Sequence, residues 1–414
     1  MRRRVVITGV GPICAIGIGA DAFWAGLRQC RSGITALTRF DPTPFRSRIA
    51  GQVDDFVPRD FLDARQARRL DRYSQLAVAA ARLALDDARL APSVCLRESL
   101  GVYVGSALGG LAFAEEQHAC YLEQGLGVVS PLLALSVFGG AAPCNIALAF
   151  DLRGPSVANA NSCASGAIAI GEAFHLIRAG HTPAMLAGGV EAPLAPLTFG
   201  SFALIRALST RNDTPESASR PFDRERDGFV MAEGAALLVL EEYEHARARG
   251  ARAYAEVLGY GTTNDAHHMT APRPDGTQAA RAITLSLRDA GIPPSAIDYV
   301  NAHASSTPLG DAAEARALHL ALGEHATGVP VSGTKGYYGH PLGASGALEA
   351  ALAALALERG WLPPNLNLER ADEGLGLPLI GGAGLACRPR WVLTTAFGFG
   401  GINASLVLGR APGT

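Results

Sequence analysis

The chain has 414 residues, 48% of them hydrophobic and 18% charged, a globular balance on more length than one ordinary compact core holds, so two joined units are expected. A formal net charge of −2 gives no global attraction to nucleic acid or to a membrane surface. Seven cysteines without a C-x-x-C pair argue against a disulfide framework or a zinc site, and a reducing, cytoplasmic setting is expected.

Arg2-Arg3-Arg4 followed by Val5-Val6-Ile7 has the charge order of a secretory leader. Gly9, Gly11 and Pro12 interrupt the apolar run, and the segment reads instead as a β-strand ending in a glycine turn. Strand-like runs at 5–8, 100–104, 184–188, 235–240 and 406–408 alternate with alanine-rich helical stretches at 73–88, 163–178, 277–290, 312–322 and 344–358. Such alternation predicts an α/β architecture with helices covering sheets. Residues 125–150 carry no charge, but Pro131, Pro143, Asn145 and the Gly139-Gly140 pair break the run. A buried core or subunit-interface segment is therefore expected there rather than a membrane span. The charged stretch 242–252, with Gly250, is the expected seam between halves 1–250 and 251–414. No short-period repeat or low-complexity linker separates them, so the halves are expected to share an interface.

Four segments carry chemistry. In Asn159-Ala160-Asn161-Ser162-Cys163-Ala164-Ser165-Gly166 an extended run feeds a small-residue turn and then an uncharged helix. A cysteine there sits at a helix N-terminus, where free N–H groups and the macrodipole favour a thiolate; the alternative is a small buried hydrophobe. In Val300-Asn301-Ala302-His303-Ala304-Ser305-Ser306-Thr307-Pro308 an apolar strand delivers His303 into a polar turn, as an acid/base group or as a structural histidine bonding a carbonyl. Ser332-Gly333-Thr334-Lys335-Gly336-Tyr337-Tyr338-Gly339-His340 places a lysine and a histidine in a glycine-rich loop that is otherwise an ordinary surface turn. Lysine and arginine total 36, yet Lys335 is the only lysine, which points to a need for a compact, rotatable ammonium. Phe397-Gly398-Phe399-Gly400-Gly401-Ile402-Asn403 can aim backbone N–H groups at a ligand or form a plain tight turn. It lacks the spacing of a dinucleotide fingerprint.

In this order the four motifs resemble the β-ketoacyl synthase family of the thiolase fold, and most closely its elongating type II class. The likeness spans the chain, including the stretch from Arg220-Pro221-Phe222-Asp223 to Asp227-Gly228-Phe229 and Asp265-Ala266-His267-His268-Met269-Thr270. It implies two similar α/β halves in an α-β-α-β-α layering, and a decarboxylating Claisen condensation of malonyl-carrier protein with a Cys163-bound acyl chain. It further implies that His303 and His340 stabilise the enolate and that Lys335, partnered by Glu349, sets their geometry. The backbone of Cys163 and Phe399 would form the oxyanion hole, with Phe399 and Gly400 as a gate. Thr270 and Thr307 would bind malonyl, and Leu108 and Leu133 would wall the acyl pocket. Asp311 and Glu314 are expected to be structural. A third-position Gly339-His340 matches the Cys-His-His elongating type rather than starter synthases or thiolases.

Arg65, Arg68, Arg69 and Arg72 recur at helical spacing, and the resemblance makes this face a dock for acidic acyl carrier protein. No metal or free cofactor is implied, since phosphopantetheine arrives on the carrier. The partner implied is a second copy or a ketosynthase-like chain-length factor, the latter in a specialised polyketide pathway. The complete catalytic set opposes a non-catalytic chain-length-factor scaffold. Departures from the family pattern fall at Asn159, Asn161 and Ser162, at Leu132 and Leu133, and at Gly336-Tyr337-Tyr338. They are expected to reshape the acyl pocket.

Overall fold

The computed structural model describes residues 3–411, so Arg2 of the leader-like opening lies outside the described residues. The first strand, β1, runs Val5–Cys14, straight through the glycines expected to end it. A Cβ on Gly9 would lie 2.2 Å from the Ala84 carbonyl oxygen, and one on Gly11 would lie 2.1 Å from that of Ala80. Both carbonyls belong to helix α1 (Arg72–Asp87). These glycines let a helix lie directly on the strand, and a register shift between Ile7 and Gly9 accommodates the contact.

Next come β2 (Gly101–Gly105), β3 (Ser156–Asn159), α2 (Ser165–Ala179), β4 (Ala184–Glu191) and β5 (Gly234–Glu242). After a short helix at Tyr243–Ala248, β6 (Ala255–Asn264), α3 (Thr277–Ala290), β7 (Tyr299–Ala302) and α4 (Pro308–Leu322) follow. The chain finishes with β8 (Val331–Gly333), α5 (Ser345–Arg359), β9 (Trp391–Gly398) and β10 (Ile402–Arg410). The sheet order is β8-β7-β9-β10-β6-β1-β5-β4-β2-β3, with the two-residue strand Gly17–Ile18 appended to β1.

Read outward from the centre, each half presents its first, fifth, fourth, second and third strands. In both halves the inner two pairings are antiparallel and the outer two parallel. The halves join where Val5, Val6 and Ile7 pair with Val257, Glu256 and Ala255. Helix α1 packs on the first half and α3 on the second, whereas α2 and α5 touch strands of both. The result is the α-β-α-β-α layering of the thiolase fold.

The central helices approach each other through reciprocal glycines. A Cβ on Gly166 would lie 2.9 Å from Ala347 N, and one on Gly346 would lie 2.8 Å from Ala167 N. Every residue of α5 from Ser345 to Leu357 is buried, which is why the helix is apolar all round and carries no amphipathic stripe. The triplet Ala164-Ser165-Gly166 recurs as Ala344-Ser345-Gly346 at the same helix start. This is an internal repeat of long period that a search for short ones passes over.

The charge-free segment 125–150 is core only in part: Ala141, Ala142 and Ile146 join the hydrophobic core of the first half. It forms short helices at Leu133–Ser136 and Ala141–Phe150, with Leu126, Val128, Leu135, Phe138 and Leu148 exposed. Among the described residues no helix is long and apolar enough to cross a membrane.

Alanine is favoured over glycine in a helix by about 1 kcal/mol, so Gly166→Ala would stabilise an uncrowded α2. The contact with α5 predicts the opposite sign, a loss of about 1–3 kcal/mol. Urea unfolding of the two proteins checks it, and a raised midpoint would refute the close packing.

Candidate active site

Cys163 lies in a tight turn, Ser162–Ala164, that leads into α2, and its side chain is buried. The turn holds Ser162 at φ 53°, a strained value for a residue with a Cβ. A Cβ on Gly398 would stand 3.1 Å from Cys163 N, so glycine there lets the β9–β10 turn close tightly over Cys163. Closure brings the Phe399 N–H to the sulfur, where it favours the thiolate. Burial pushes the thiol up to about 11, against the Ser162 hydroxyl, the Lys335 charge and the Phe399 N–H.

His303 follows β7, and β7 pairs in parallel with β8 so that Ala302 is opposite Gly333. That register sets Lys335, two residues beyond Gly333, beside His303. The Lys335 ammonium donates to Glu349 Oε1 and to the His303 carbonyl oxygen, and it reaches His303 Nδ1 at 3.4 Å. Lys335 and Glu349 are both fully buried. Burial raises the Glu349 carboxyl to about 7 despite the lysine. Glu314 of α4 accepts from His303 N at 2.8 Å, Ala304 N at 2.7 Å and Thr395 Oγ1 at 2.6 Å. It fixes the backbone that presents the imidazole.

His340 N donates to Val230 O at 2.7 Å and its Nδ1 meets Ser345 Oγ at 2.7 Å. Its ring stands 5.3 Å from that of His303, nearly perpendicular at 80°, and 5.1 Å from Phe229. Burial, then the Lys335 charge, holds both imidazoles well below the usual histidine range. Ala304, Ser306 and Leu342, like Ser162, sit at positive φ, a concentration of backbone strain around one cavity.

That cavity is lined by Cys163, His303, His340, Phe399, Thr270 and Thr307, among others. The Thr307 hydroxyl also caps α4, accepting from Gly310 N at 3.1 Å. Leu108 packs into the apolar cluster around Cys163, together with Phe202, Phe229 and Leu342. Leu133 does not line the cavity; it lies on the apolar outer segment. The Gly400 N–H is committed to Met269 O at 2.7 Å, and its φ of 83° makes it the turn of the loop rather than an oxyanion donor.

The departures at Tyr337 and Tyr338 do not touch the cavity. Both rings are fully buried behind it, Tyr337 on the Pro364 carbonyl and Tyr338 on Thr334 and Phe23. The arginine face is shorter than expected. Arg65, Arg68 and Arg69 are exposed on the helix Ala64–Arg69. The helix ends at the extended Leu70, and Arg72 turns inward to Glu233 at 2.6 Å. Asp311 is structural as expected, accepting from Phe222 N and Ser306 N.

Sequence reading missed Glu191 and Ser345. Buried Glu191 accepts from Ala107 N and Leu108 N of the first half and from Gly343 N of the second, which ties the two halves beside Cys163. A lone acid after an apolar strand carries no local signal, but Ser345 was legible in the Ala-Ser-Gly repeat. Among the described residues no group of three or more His, Cys, Asp or Glu side chains is placed to hold a metal ion.

Comparison with known proteins agrees with this geometry. Residues 2–246 match the family model "Beta-ketoacyl synthase, N-terminal domain" and residues 254–369 match "Beta-ketoacyl synthase, C-terminal domain". The chain is 43% identical over 405 residues to the 3-oxoacyl-[acyl-carrier-protein] synthase 2 of Synechocystis, covering 98% of this chain and 97% of that one. Among solved structures, it resembles the ketosynthase of a type II PKS in complex with its acyl-carrier protein and bound to the hexaketide, at TM-score 0.89 and 34% identity, over 99% of this chain and 100% of that one. It also resembles the ishigamide ketosynthase/chain length factor, at TM-score 0.92 and 36% identity, with the same coverage. A cysteine facing two histidines across the seam of a doubled α/β fold, together with these full-length matches, places the chain in the beta-ketoacyl synthase family.

Proposed function

We propose that the protein is a β-ketoacyl-acyl-carrier-protein synthase that condenses malonyl-carrier protein with an acyl chain held on Cys163. The observation that carries this reading is the convergence of Cys163, His303 and His340 on one cavity, with Lys335 behind it. Cys163 sulfur attacks the carrier thioester; its proton leaves with the phosphopantetheine thiol, and the acyl–sulfur bond moves to the enzyme. The N–H groups of Cys163 and Phe399 hold the oxyanion formed in that step. Malonyl then loses CO₂, its electron pair forms an enolate, and the enolate carbon attacks the acyl carbonyl. The carbon–carbon bond forms, the Cys163 thioester breaks, and the sulfur takes up a proton.

The hydrogen-bond geometry supports the histidine roles. An ammonium has only donors, so the Lys335 contact makes His303 Nδ1 an acceptor and leaves the proton on Nε2. The Ser345 hydroxyl, 2.7 Å from His340 Nδ1, is able to donate to it, and in this reading that ring has the same tautomer. Both Nε2–H groups then serve the enolate oxygen as neutral donors, with Thr270 and Thr307 at the malonyl carboxylate. The substrates bring their own phosphopantetheine, and no free cofactor takes part.

Arg65, Arg68 and Arg69 form the exposed basic face for an acidic carrier protein. The edge strand β3 and the neighbouring exposed Leu135, Phe138 and Leu148 support a ketosynthase-type partner, with Leu133 on that shared face. Likeness to the ishigamide ketosynthase/chain length factor favours a second reading, in which that partner is a chain-length factor in polyketide assembly rather than a second copy. The free cysteines fit a reducing, cytoplasmic setting.

His303→Ala is expected to slow condensation by roughly 10²–10³-fold while acyl transfer to Cys163 persists; condensation at the wild-type rate would remove the assigned role. Followed by NMR from pH 8 to 6, the imidazoles of His303 and His340 should show no titration, because burial and Lys335 keep both neutral. A midpoint near 6.5 in resonances lost on His303→Asn or His340→Asn would contradict this. The double charge reversal Arg68→Glu, Arg69→Glu should weaken carrier binding about tenfold or more at low salt and far less at high salt. Unchanged binding at low salt would exclude the basic face.

A further inference from the structure

We infer that Ser162 is a further catalytic residue, its hydroxyl donating a hydrogen bond to the Cys163 sulfur as the thiolate forms. This rests on Cys163 being the nucleophile. The Ser162 Oγ lies 3.8 Å from Cys163 Sγ, and this is its only side-chain hydrogen bond among the described residues. The neighbouring hydroxyl of Ser165 is committed elsewhere, to the carbonyls of Ser162 and Ser106 at 2.7 and 3.2 Å.

Backbone conformation makes the residue choice informative. At φ 53° glycine is the unstrained residue, and a side chain there is strained. The equivalent place in the second half, Leu342, is also strained at φ 37°, and its side chain is used to line the cavity. At Ser162 the strained position carries a donor next to the reacting atom. Gly398 leaves room for it, since a Cβ there would stand 3.1 Å from Ser162 Cβ. The need is physical. Cys163 is buried, and burial opposes the thiolate more than any single neighbour favours it. Of the groups that favour the thiolate, the Ser162 hydroxyl contributes most, ahead of Lys335 and the Phe399 N–H.

The test is the rate of iodoacetamide alkylation of Cys163 across pH 6–10, read by peptide mass, in the wild type, Ser162→Ala and Ser162→Gly. Both variants lose the hydroxyl, but alanine keeps the backbone strain and glycine relieves it. A hydrogen bond to a thiolate raises its population and lowers its intrinsic reactivity by about half as much on a logarithmic scale, so the net expectation is roughly threefold slower alkylation at each pH in both variants. Equal rates in all three proteins would overturn the proposal. So would a change confined to Ser162→Gly, which would report the backbone and not the hydroxyl. Acyl transfer from acyl-carrier protein is measured on the wild type in parallel. Its absence, with alkylation still dependent on Ser162, would overturn the condensing function and leave this assignment standing.

Discussion

The structure depends on one close packing, that of helices Ser165–Ala179 and Ser345–Arg359 through Gly166 and Gly346. Neither half contains the whole site. Cys163 starts the first helix, whereas His303, Lys335 and His340 come from the second half of the chain. A single methyl group at either glycine would push the helices apart and with them Cys163 and the two histidines. Glu191 supports the same junction, joining the N–H groups of Ala107 and Leu108 to that of Gly343 across the seam. The repeated fold therefore builds an asymmetric site. At the equivalent helix starts one copy carries Cys163 and the other Gly343, and the backbone elbow is kept in both.

Within that frame a single buried cation organises the chemistry. Lys335 has three N–H donors, and Glu349, the His303 carbonyl and His303 Nδ1 occupy them. The same charge acts on both imidazoles and opposes the cost of burying the Cys163 thiolate. An arginine would bring a planar fork to a place that requires a point charge on a flexible stem. This accounts for the single lysine in a chain that otherwise uses arginine. Burial is the common expense of the site: it raises the thiol and the Glu349 carboxyl and lowers the histidines, and each is then partly offset by a specific neighbour.

Much of this was legible in the sequence because the candidate site residues sit in glycine-rich turns between apolar strands and helices, and those turns break the periodicity. Cys163, His303, Lys335 and His340 stand out for that reason, and the Lys335–Glu349 partnership followed from the family likeness. Three things were misread through non-local packing. Gly9 and Gly11 looked like a turn, but they answer a helix some seventy residues away in sequence. Arg72 looked like part of a basic face, but the helix ends at Leu70 and Arg72 turns to Glu233. Tyr337 and Tyr338 looked like pocket residues because they adjoin His340, yet their side chains point into the core behind it. The doubling of the fold was written in the Ala-Ser-Gly triplets. Their separation of half the chain hid it from a search for short repeats.

The most direct test of the account is intact-protein mass spectrometry after incubation with a panel of acyl-carrier proteins and then malonyl-carrier protein. The account predicts that an acyl mass is gained at Cys163, is lost when malonyl-carrier protein is added, and appears as β-ketoacyl-carrier product. Absence of acylation by every donor, with the protein alone and with a ketosynthase-type partner present, would contradict it. The cysteine and its histidines would then belong to a scaffold and not to a condensing enzyme.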